Sequence, residues 1–273
     1  MLIKPWDPLY EHQDGASPHR AEVDRQQKRG HRVTSRFEEL DWQQTPYGAI
    51  SLRRRFDPFL QADVYEAKLD DEFLMSSAFT HGETELTRLA LDLATSDTPL
   101  DVVVGGLGLG YTTHAVLTDP RVRQVITVEA HAPVISWHQR QLIPDTTQVT
   151  RDRRSRLVHG DFFTLTDDPD GFDPDCPGRR FDVILLDIDH SPRHLLHPSH
   201  ARMYTLEGLH RLAAHLRPGG LFGLWSNDPP DQRFQQILSG VFAICHTHVV
   251  SFDNPLQNRP ATNTVYLART APD

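Results

Sequence analysis

The amino-acid sequence predicts an α/β protein built on a mostly parallel sheet with helices on both faces, preceded by a small antiparallel β unit. From residue 99 onward, short apolar segments alternate with stretches long enough for a crossover helix, the connection that parallel strands need. Between residues 44 and 80, segments rich in β-branched and aromatic residues are separated by turn-forming Pro, Gly and Asp, as in antiparallel hairpins.

Seven segments after residue 99 are candidate strands. Spacers of helix length separate the first five, whereas the last two lack such a spacer and predict an antiparallel hairpin. Ahead of them, Leu86, Leu89 and Leu93 recur with the period of an amphipathic helix. The candidate strands are, in chain order, LDVVVG, QVITVEA, SRLVHG, FDVILLD, GGLFGLWS, ICHTHVVSF and NTVYLAR.

These patterns divide the chain into three predicted regions. They are a polar arm over residues 1–43, a small β domain over 44–80 and a ligand-binding domain over 81–273. Within the arm, residues 11–36 are polar and charged. They bury too little apolar surface to order themselves, which predicts a mobile arm or a loosely docked helix.

The charge and cysteine content limit the function classes. Lys and Arg total 28 and Asp and Glu total 37, for a formal net charge of −9. This argues against sequence-independent binding of nucleic acid, which depends on neutralising phosphates, and suits a cationic small molecule. Cys176 and Cys245 have no metal-type spacing. With no signal-peptide core and no run of transmembrane length, we expect a cytoplasmic protein without a membrane partner.

A cluster of glycines follows the first predicted parallel strand. Gly106, Gly108 and Gly110 alternate in VVVGGLGLGYTTHAV, where glycine allows a tight turn and a close approach of the backbone to a ligand. Glu129 ends the second strand, where an acid can accept hydrogen bonds from ribose hydroxyls. Asp161 follows the third strand, where a carboxylate can accept from an adenine amino group. Together these residues predict an adenosine site.

The glycine spacing favours one adenosine ligand over another. NAD-binding loops read G-x-G-x-x-G/A, and Tyr111 stands where that pattern needs a small residue. The G-x-G-x-G form is seen in enzymes that use S-adenosylmethionine. We therefore expect an adenosyl-sulfonium donor rather than NAD.

The fourth predicted strand runs into DIDHSPRHLLHPSH, which holds two acids and four histidines. Asp187 ends the strand, where a carboxylate can act as a base or orient charge at a reacting carbon; the alternative is a carboxylate that caps local amides. His190, His194 and His197 have helical spacing, but two prolines interrupt any helix there. We expect a histidine in an acceptor pocket, His190 first, rather than a transition-metal site.

The segment LWSNDPPD after the fifth strand has two interpretations. Asp228 before a proline is a good helix N-cap. Alternatively, Asp187 or Asp189 with Asn227 and Asp228 resembles the ligand set of metal-dependent O-methyltransferases such as catechol O-methyltransferase, which would suit Mg²⁺. The order here is Asn-Asp rather than Asp-Asn. We expect no metal and keep this set as the alternative.

The same segments resemble, in the same order along the chain, those of the spermidine synthases. Residues 101–138 resemble that family's donor-binding segment, RLVHGDFF its adenine-binding strand, and FDVILLDIDHSP its strand and gate loop. YTLEGLHRLAAHLRPGGLFGLW is similar to the helix and strand after the gate. The stretch from QTPYGAISLRRR to FLMSS looks like the family's small β domain. The resemblance covers residues 44 to 269.

The resemblance implies a class I methyltransferase-type, Rossmann-like fold of seven strands, often assembled as a homodimer. It implies a transferase whose co-substrate is S-adenosylmethionine or its decarboxylated form, and in which a nucleophile attacks a carbon next to the sulfonium. Glu129 would hold the ribose and Asp161 the adenine. Asp187, also beside the donor, would accept the proton of a small-molecule acceptor such as an amine.

Three departures from the family bear on the substrate. The family's glycine loop reads Gly-Gly-Gly-Asp-Gly, and its Asp holds the amine of the decarboxylated donor. Gly108 stands there in this chain, which makes room for the carboxylate of intact S-adenosylmethionine. His190 replaces the second gate-loop acid, for which Asp189 is the candidate substitute. Of the family's Tyr-His-Glu acceptor segment, only Glu85 is kept.

Tyr204 and Trp225 are candidate walls of the acceptor pocket, and we expect Asp187, Asp189 and His190 to carry the chemistry. The sequence therefore predicts a transferase that most simply moves a methyl group from intact S-adenosylmethionine to a small-molecule acceptor. The alternatives are aminopropyl transfer from the decarboxylated donor to a polyamine, a Mg²⁺-dependent O-methyltransferase, and a donor-binding protein without catalysis.

Overall fold

The computed structural model describes residues 37–94, 99–254 and 259–272. The arm predicted over residues 11–36 lies outside these residues. The described chain forms a four-stranded antiparallel sheet followed by a seven-stranded sheet with helices on both faces. The predicted fold class is confirmed.

Four strands form the small sheet and pair in chain order. They are β1 (Phe37–Thr45), β2 (Gly48–Asp57), β3 (Ala62–Leu69) and β4 (Glu72–Ser76). The sheet begins at Phe37, before the predicted boundary at residue 44, because FEELDWQQT pairs with β2 along its length. Its inner face is apolar, and Ile50 and Leu52 are fully buried in a cluster with Leu109 and Trp137.

Seven strands form the large sheet. They are β5 (Leu100–Gly105), β6 (Val122–Glu129), β7 (Ser155–His159), β8 (Phe181–Leu186), β9 (Leu216–Ser226), β10 (Ile244–Asn254) and β11 (Arg259–Arg269). Their spatial order is β10-β11-β9-β8-β5-β6-β7. Strands β5 to β9 pair in parallel, and β11 runs antiparallel to β9 and β10, so the predicted C-terminal hairpin is confirmed.

Helices of the described residues fill the connections. They are α1 (His81–Leu93), α2 (Tyr111–Thr118), α3 (Ala132–Gln139), α4 (Gln148–Arg151), α5 (Phe162–Asp167), α6 (Leu206–Ala214) and α7 (Gln232–Ser239), with 3₁₀ turns at Pro144–Thr146 and Pro198–Arg202. The N-cap interpretation of Asp228 was wrong: α7 begins later, and Asp231 caps it by accepting from two backbone amides. No helix among these is long and apolar enough to cross a membrane.

The large sheet buries apolar side chains on both faces, as a parallel sheet requires. Val103 and Ile184 belong to the cluster that includes the apolar residues of α5, α6 and α7. Val102 and Val104 belong to the cluster formed with α1 and α2. Alternate side chains of β5 thus pack against helices on opposite faces of the sheet.

Strand order reverses at β5. The chain continues from β5 to β6 and β7 on one side and then returns to β8 on the other. In such sheets the ligand lies outside the carboxyl ends of the strands at this reversal. Here the loop after β5, Glu129 at the end of β6 and Asp187 after β8 come to the same edge of the sheet.

At the amino-terminal end of β5, an ion network ties the strands together. Asp101 is fully buried and accepts hydrogen bonds from the guanidinium groups of Arg123, Arg179 and Arg217. Burial by itself would raise the pKa of Asp101, but the three arginines outweigh it and lower the pKa to about 2. The carboxylate is therefore ionised throughout the neutral range.

We expect Asp101→Asn to lower the free energy of unfolding by about 3–5 kcal/mol, the range for removing one partner from a buried ion pair. Since the pKa of folded Asp101 lies below its ordinary value of 3.8, its stabilising contribution is complete at neutral pH. That contribution is lost as the pH falls through about 4 towards about 2. Urea unfolding across this range measures both effects.

Asp92→Asn is the control for this substitution, because it removes an exposed partner of Arg88. We expect it to change stability by less than about 0.5 kcal/mol. An Asp101→Asn variant no less stable than the Asp92→Asn control would contradict the role given to the network.

Candidate active site

The loop between β5 and α2 has a backbone that favours glycine. Gly106, Gly108 and Gly110 have φ angles of 93°, 45° and 86°, in the left-handed region where a Cβ is strained. Close packing adds to this constraint. A Cβ on Gly106 would overlap the carbonyl oxygen of Asp187, and one on Gly110 would overlap the imidazole of His138. The loop therefore presents backbone rather than side chains.

Two side chains hold the middle of this loop. Met75 of β4 accepts the Leu109 N–H through Sδ at 2.9 Å, and a Cβ on Gly108 would overlap the same sulfur. Nε2 of His138, on α3, lies 2.9 Å from the carbonyl oxygen of Gly108. Because burial lowers the pKa of His138, the imidazole is neutral and donates Nε2–H to that carbonyl.

Glu129 is fixed against the glycine loop. Its side chain is buried, and its Oε2 accepts the Leu107 N–H at 3.0 Å while Oε1 accepts the His131 N–H at 2.8 Å. Each carboxylate oxygen has a second lone pair. In this orientation Glu129 can still accept hydrogen bonds from the hydroxyls of a ribose, which is the role predicted for it.

Asp161 caps α5. Its Oδ1 accepts the Phe163 N–H at 3.0 Å and its Oδ2 accepts the Thr164 hydroxyl at 2.9 Å. The side chain is half-buried at the end of β7. Its position beside the loop agrees with adenine binding, which stays a prediction.

Asp187 and Glu83 form a pair of interacting carboxyl groups. Asp187 follows β8, and its Oδ2 accepts the hydroxyl of Thr112, in the first turn of α2, at 2.6 Å. Burial raises the pKa of Asp187 to about 6. Burial and the charge of Asp187 raise the pKa of Glu83 to about 8. Near neutral pH the pair therefore retains about one proton between its two members.

Sequence reasoning missed Glu83 and chose Glu85. Arg88 holds both oxygens of Glu85, at 2.9 and 2.8 Å, on the exposed surface of α1. Two residues correspond to roughly 200° around a helix, so Glu83 and Glu85 point in opposite directions. The helical period could have indicated Glu83. Glu83, Leu86 and Ala90 share one face of α1, and the last two are buried.

Asp189 anchors the segment that follows β8, whose residues 187–200 are called the gate loop below. It is buried, and its Oδ1 accepts from the Leu196 N–H at 2.7 Å and from Nδ1 of His200 at 2.8 Å. Its Oδ2 accepts the hydroxyl of Tyr204 at 2.8 Å. All of these hydrogen bonds run within the segment that follows β8, so the geometry supports an anchoring role rather than the predicted catalytic one.

Three of the four gate-loop histidines contact acids, and His197 contacts the hydroxyl of Ser199. His190 Nε2 lies 3.3 Å from an oxygen of Glu72, at the start of β4, so the gate loop reaches the small sheet. His194 Nδ1 lies 2.8 Å from Oδ2 of Asp228, and the hydroxyl of Ser191 donates to the same oxygen at 2.6 Å. These contacts fasten the loop on two sides.

The two predicted aromatic walls have different surroundings. Tyr204 is buried against Phe234, with its hydroxyl on Asp189, so it belongs to the core beneath the gate. Trp225 lies against Gly82, beside Glu83, where a Cβ would overlap its indole nitrogen. That buried nitrogen has no hydrogen-bond partner among the described residues. Trp225 therefore lies against the first turn of α1, the turn that carries Glu83.

The alternative Mg²⁺ ligands each have hydrogen-bond partners of their own. Asp228 is held by Ser191 and His194, and the side-chain oxygen of Asn227 accepts from Asn263 at 3.1 Å. Asp187 is held by Thr112. In the described ranges, no group of three or more His, Cys, Asp or Glu side chains is placed to hold a metal ion.

The sheet order, with its antiparallel last strand and the small sheet before it, is that of the class I methyltransferase-type fold. Solved spermidine synthases share it. A spermidine synthase in complex with the transition-state analogue AdoDATO aligns with a TM-score of 0.63 and 18% identity, over 86% of this chain and 73% of its own. Identity this low shows the fold and not the activity.

Two further spermidine synthase structures align comparably. That of Thermotoga maritima gives a TM-score of 0.64 and 19% identity, over 86% of this chain and 74% of its own. A probable spermidine synthase from Corynebacterium glutamicum gives a TM-score of 0.56 and 19% identity, over 85% of this chain and 79% of its own. No protein-family model matches the chain, and neither does any curated protein. The resemblance seen in the sequence is thus confirmed as a shared fold.

We expect Gly108→Ala to destabilise the protein by about 1–3 kcal/mol, because the added Cβ overlaps Met75 and occupies a left-handed backbone position. Met75→Ala combined with Gly108→Ala should recover part of this loss by removing the overlap. Urea unfolding of the single and double variants gives the coupling energy.

Gly219→Ala is the matched control for this cycle. Gly219 has a φ of 71° but no atom within 4 Å of an added Cβ, so it measures the backbone cost alone, about 1 kcal/mol. Strictly additive effects of Met75→Ala and Gly108→Ala would contradict the contact between these positions.

Proposed function

We propose that this protein transfers an alkyl group from an adenosyl-sulfonium donor to the nitrogen of a small amine, by attack on the propyl carbon of the donor's tail. The observation that carries the proposal is the pair of interacting carboxyl groups, Glu83 and Asp187. The backbone of Asp187 lies against Gly106 of the glycine loop, and its side chain accepts from Thr112. A negatively charged pair attracts a protonated amine and can accept the proton that the amine must lose before attack.

The donor end of the site supports the same reaction class. Glu129 is held in place to accept ribose hydroxyls, and the glycine loop offers backbone rather than charged side chains to the donor's tail. A spermidine synthase of the same fold binds the transition-state analogue AdoDATO. Transfer of an aminopropyl group from decarboxylated S-adenosylmethionine is therefore the reading that the solved structures favour.

In the proposed reaction the ammonium group of the acceptor binds between Glu83 and Asp187. Asp187, held by Thr112, accepts a proton from it. The nitrogen lone pair then attacks the propyl carbon, the carbon–sulfur bond breaks, and the adenosyl thioether leaves. Positioning of the amine against the carbon supplies most of the acceleration, since the reaction needs only one proton transfer.

Methyl transfer from intact S-adenosylmethionine is the second candidate, and one observation favours it. Gly108 leaves the glycine loop without a carboxylate, so the loop does not repel the carboxylate of the intact donor. The two candidates release different products. Attack on the propyl carbon gives methylthioadenosine, whereas attack on the methyl carbon gives S-adenosylhomocysteine.

Incubation with each donor and a panel of small amines, followed by chromatography of the adenosyl product, tests the proposal. We expect methylthioadenosine. Asp187→Asn should lower kcat by about 10²- to 10⁴-fold, the usual contribution of a general base. Above about pH 8, where Glu83 is ionised in the wild-type pair, Glu83→Gln should raise the KM of the amine by roughly tenfold, because it removes one charge from the pair.

Glu85→Gln is the matched comparison, since its side chain lies on Arg88 instead, and it should leave both constants unchanged. Release of S-adenosylhomocysteine would replace the proposal by methyl transfer. An Asp187→Asn variant with wild-type turnover would remove Asp187 from the mechanism.

The pH profile supplies an independent test. Both carboxyl pKa values are raised, to about 6 and about 8, so the ionised pair forms as the pH rises through this range. We expect kcat/KM for the amine to increase between about pH 6 and pH 8. Glu83→Gln should remove the upper of the two steps. A wild-type profile whose acidic limb lies near pH 4 would contradict the pairing of Glu83 with Asp187.

A further inference from the structure

We propose that the donor is intact S-adenosylmethionine and that the group transferred is its 3-amino-3-carboxypropyl group. The inference rests on the proposed function, from which it takes the adenosyl-sulfonium donor, the amine acceptor and attack on the propyl carbon. It adds the chemical class of the group that moves. The glycine loop, along which the donor's tail runs in the proposed complex, supports this assignment.

This loop carries no charge and is closed to a charged side chain. Leu107 and Leu109, which stand between the glycines, are buried. Gly108 cannot take a side chain while Met75 is in place, because the sulfur of Met75 occupies the position of its Cβ. Met75 is in turn held by the Leu109 N–H. A carboxylate on the donor's tail therefore meets no opposing acid in this loop.

Three other acids described at this edge of the sheet have partners of their own, and Glu129 is in addition assigned to the ribose in the proposed function. Glu129 is bound by two backbone amides, Asp161 caps α5, and Asp189 anchors the gate loop. Glu83 and Asp187 serve the acceptor in the proposed function. A tail with only an ammonium group would need an acid of its own from the protein. A tail that also carries a carboxylate balances its own ammonium charge and needs none.

The reaction balances without a further reactant. The acceptor nitrogen forms a bond to the propyl carbon adjacent to sulfur, and the bond between that carbon and the sulfonium breaks. Its electron pair goes to sulfur, which leaves as neutral methylthioadenosine. The proton released by the amine goes to Asp187. The product is the amine carrying a new chain with both an ammonium and a carboxylate group.

Donor binding tests the inference without knowledge of the acceptor. By calorimetry, we expect the wild-type chain to bind intact S-adenosylmethionine at least as tightly as the decarboxylated form. Met75→Ala with Gly108→Asp makes space for an acid in the loop and should shift the preference towards the decarboxylated donor by about tenfold or more. Met75→Ala alone adds no charge and should keep the wild-type preference. Tighter wild-type binding of the decarboxylated donor would overturn the inference.

Turnover with S-adenosylmethionine labelled in its carboxyl group tests the chemistry. We expect methylthioadenosine and a labelled amine. S-adenosylhomocysteine would overturn both the inference and the proposed function. Methylthioadenosine formed from the decarboxylated donor alone would overturn the inference and leave the proposed function standing. If neither donor binds, or if no amine in the panel reacts with either donor, the proposed function fails and the inference fails with it.

Discussion

The candidate site depends on how closely the chain passes itself at the end of β5. A Cβ on Gly106 would overlap the carbonyl oxygen of Asp187, so glycine is what allows the segment after β8 to lie against the loop. This approach brings the carboxylate of Asp187 to the hydroxyl of Thr112 at the start of α2. The first turn of α1 supplies Glu83, whose carboxyl group interacts with the charge of Asp187. Residues that follow two strands and residues in the first turns of two helices thus contribute to the candidate site.

The small sheet is part of the site as well as a packing element. Its Asp41 accepts from the indole of Trp137 at 2.8 Å and from Arg140 at 2.9 Å, which ties it to α3. Its Met75 then reaches the glycine loop and takes the space above Gly108. In the proposed complex, a soft, uncharged thioether at this point would make the surface for the donor's tail neutral. In the proposed complex, the glycine loop and a side chain of the small sheet therefore form this surface together.

The histidine-rich gate loop shows how a cluster that suggests a metal in sequence can resolve into separate pairs. His190 contacts Glu72, His194 contacts Asp228, and His200 contacts Asp189. Each acid serves a different histidine, so the ligands do not converge. These pairs instead hold the loop to the small sheet, to the segment after β9 and to the core. A loop restrained in this way can keep Asp187 oriented towards an acceptor.

The sequence by itself determined the two sheets, the C-terminal hairpin, the glycine loop and the strand-end acids Glu129 and Asp187, because periodicity, glycine and strand ends are local patterns. Tertiary structure decided which side chains lie together at the candidate site. Glu83 interacts with Asp187 across about a hundred residues, and Met75 meets Gly108 from another sheet. Asp189 turns towards Tyr204 and leaves Asp187 without a second acid from the gate. Such choices depend on contacts between distant segments, which spacing along the chain does not encode.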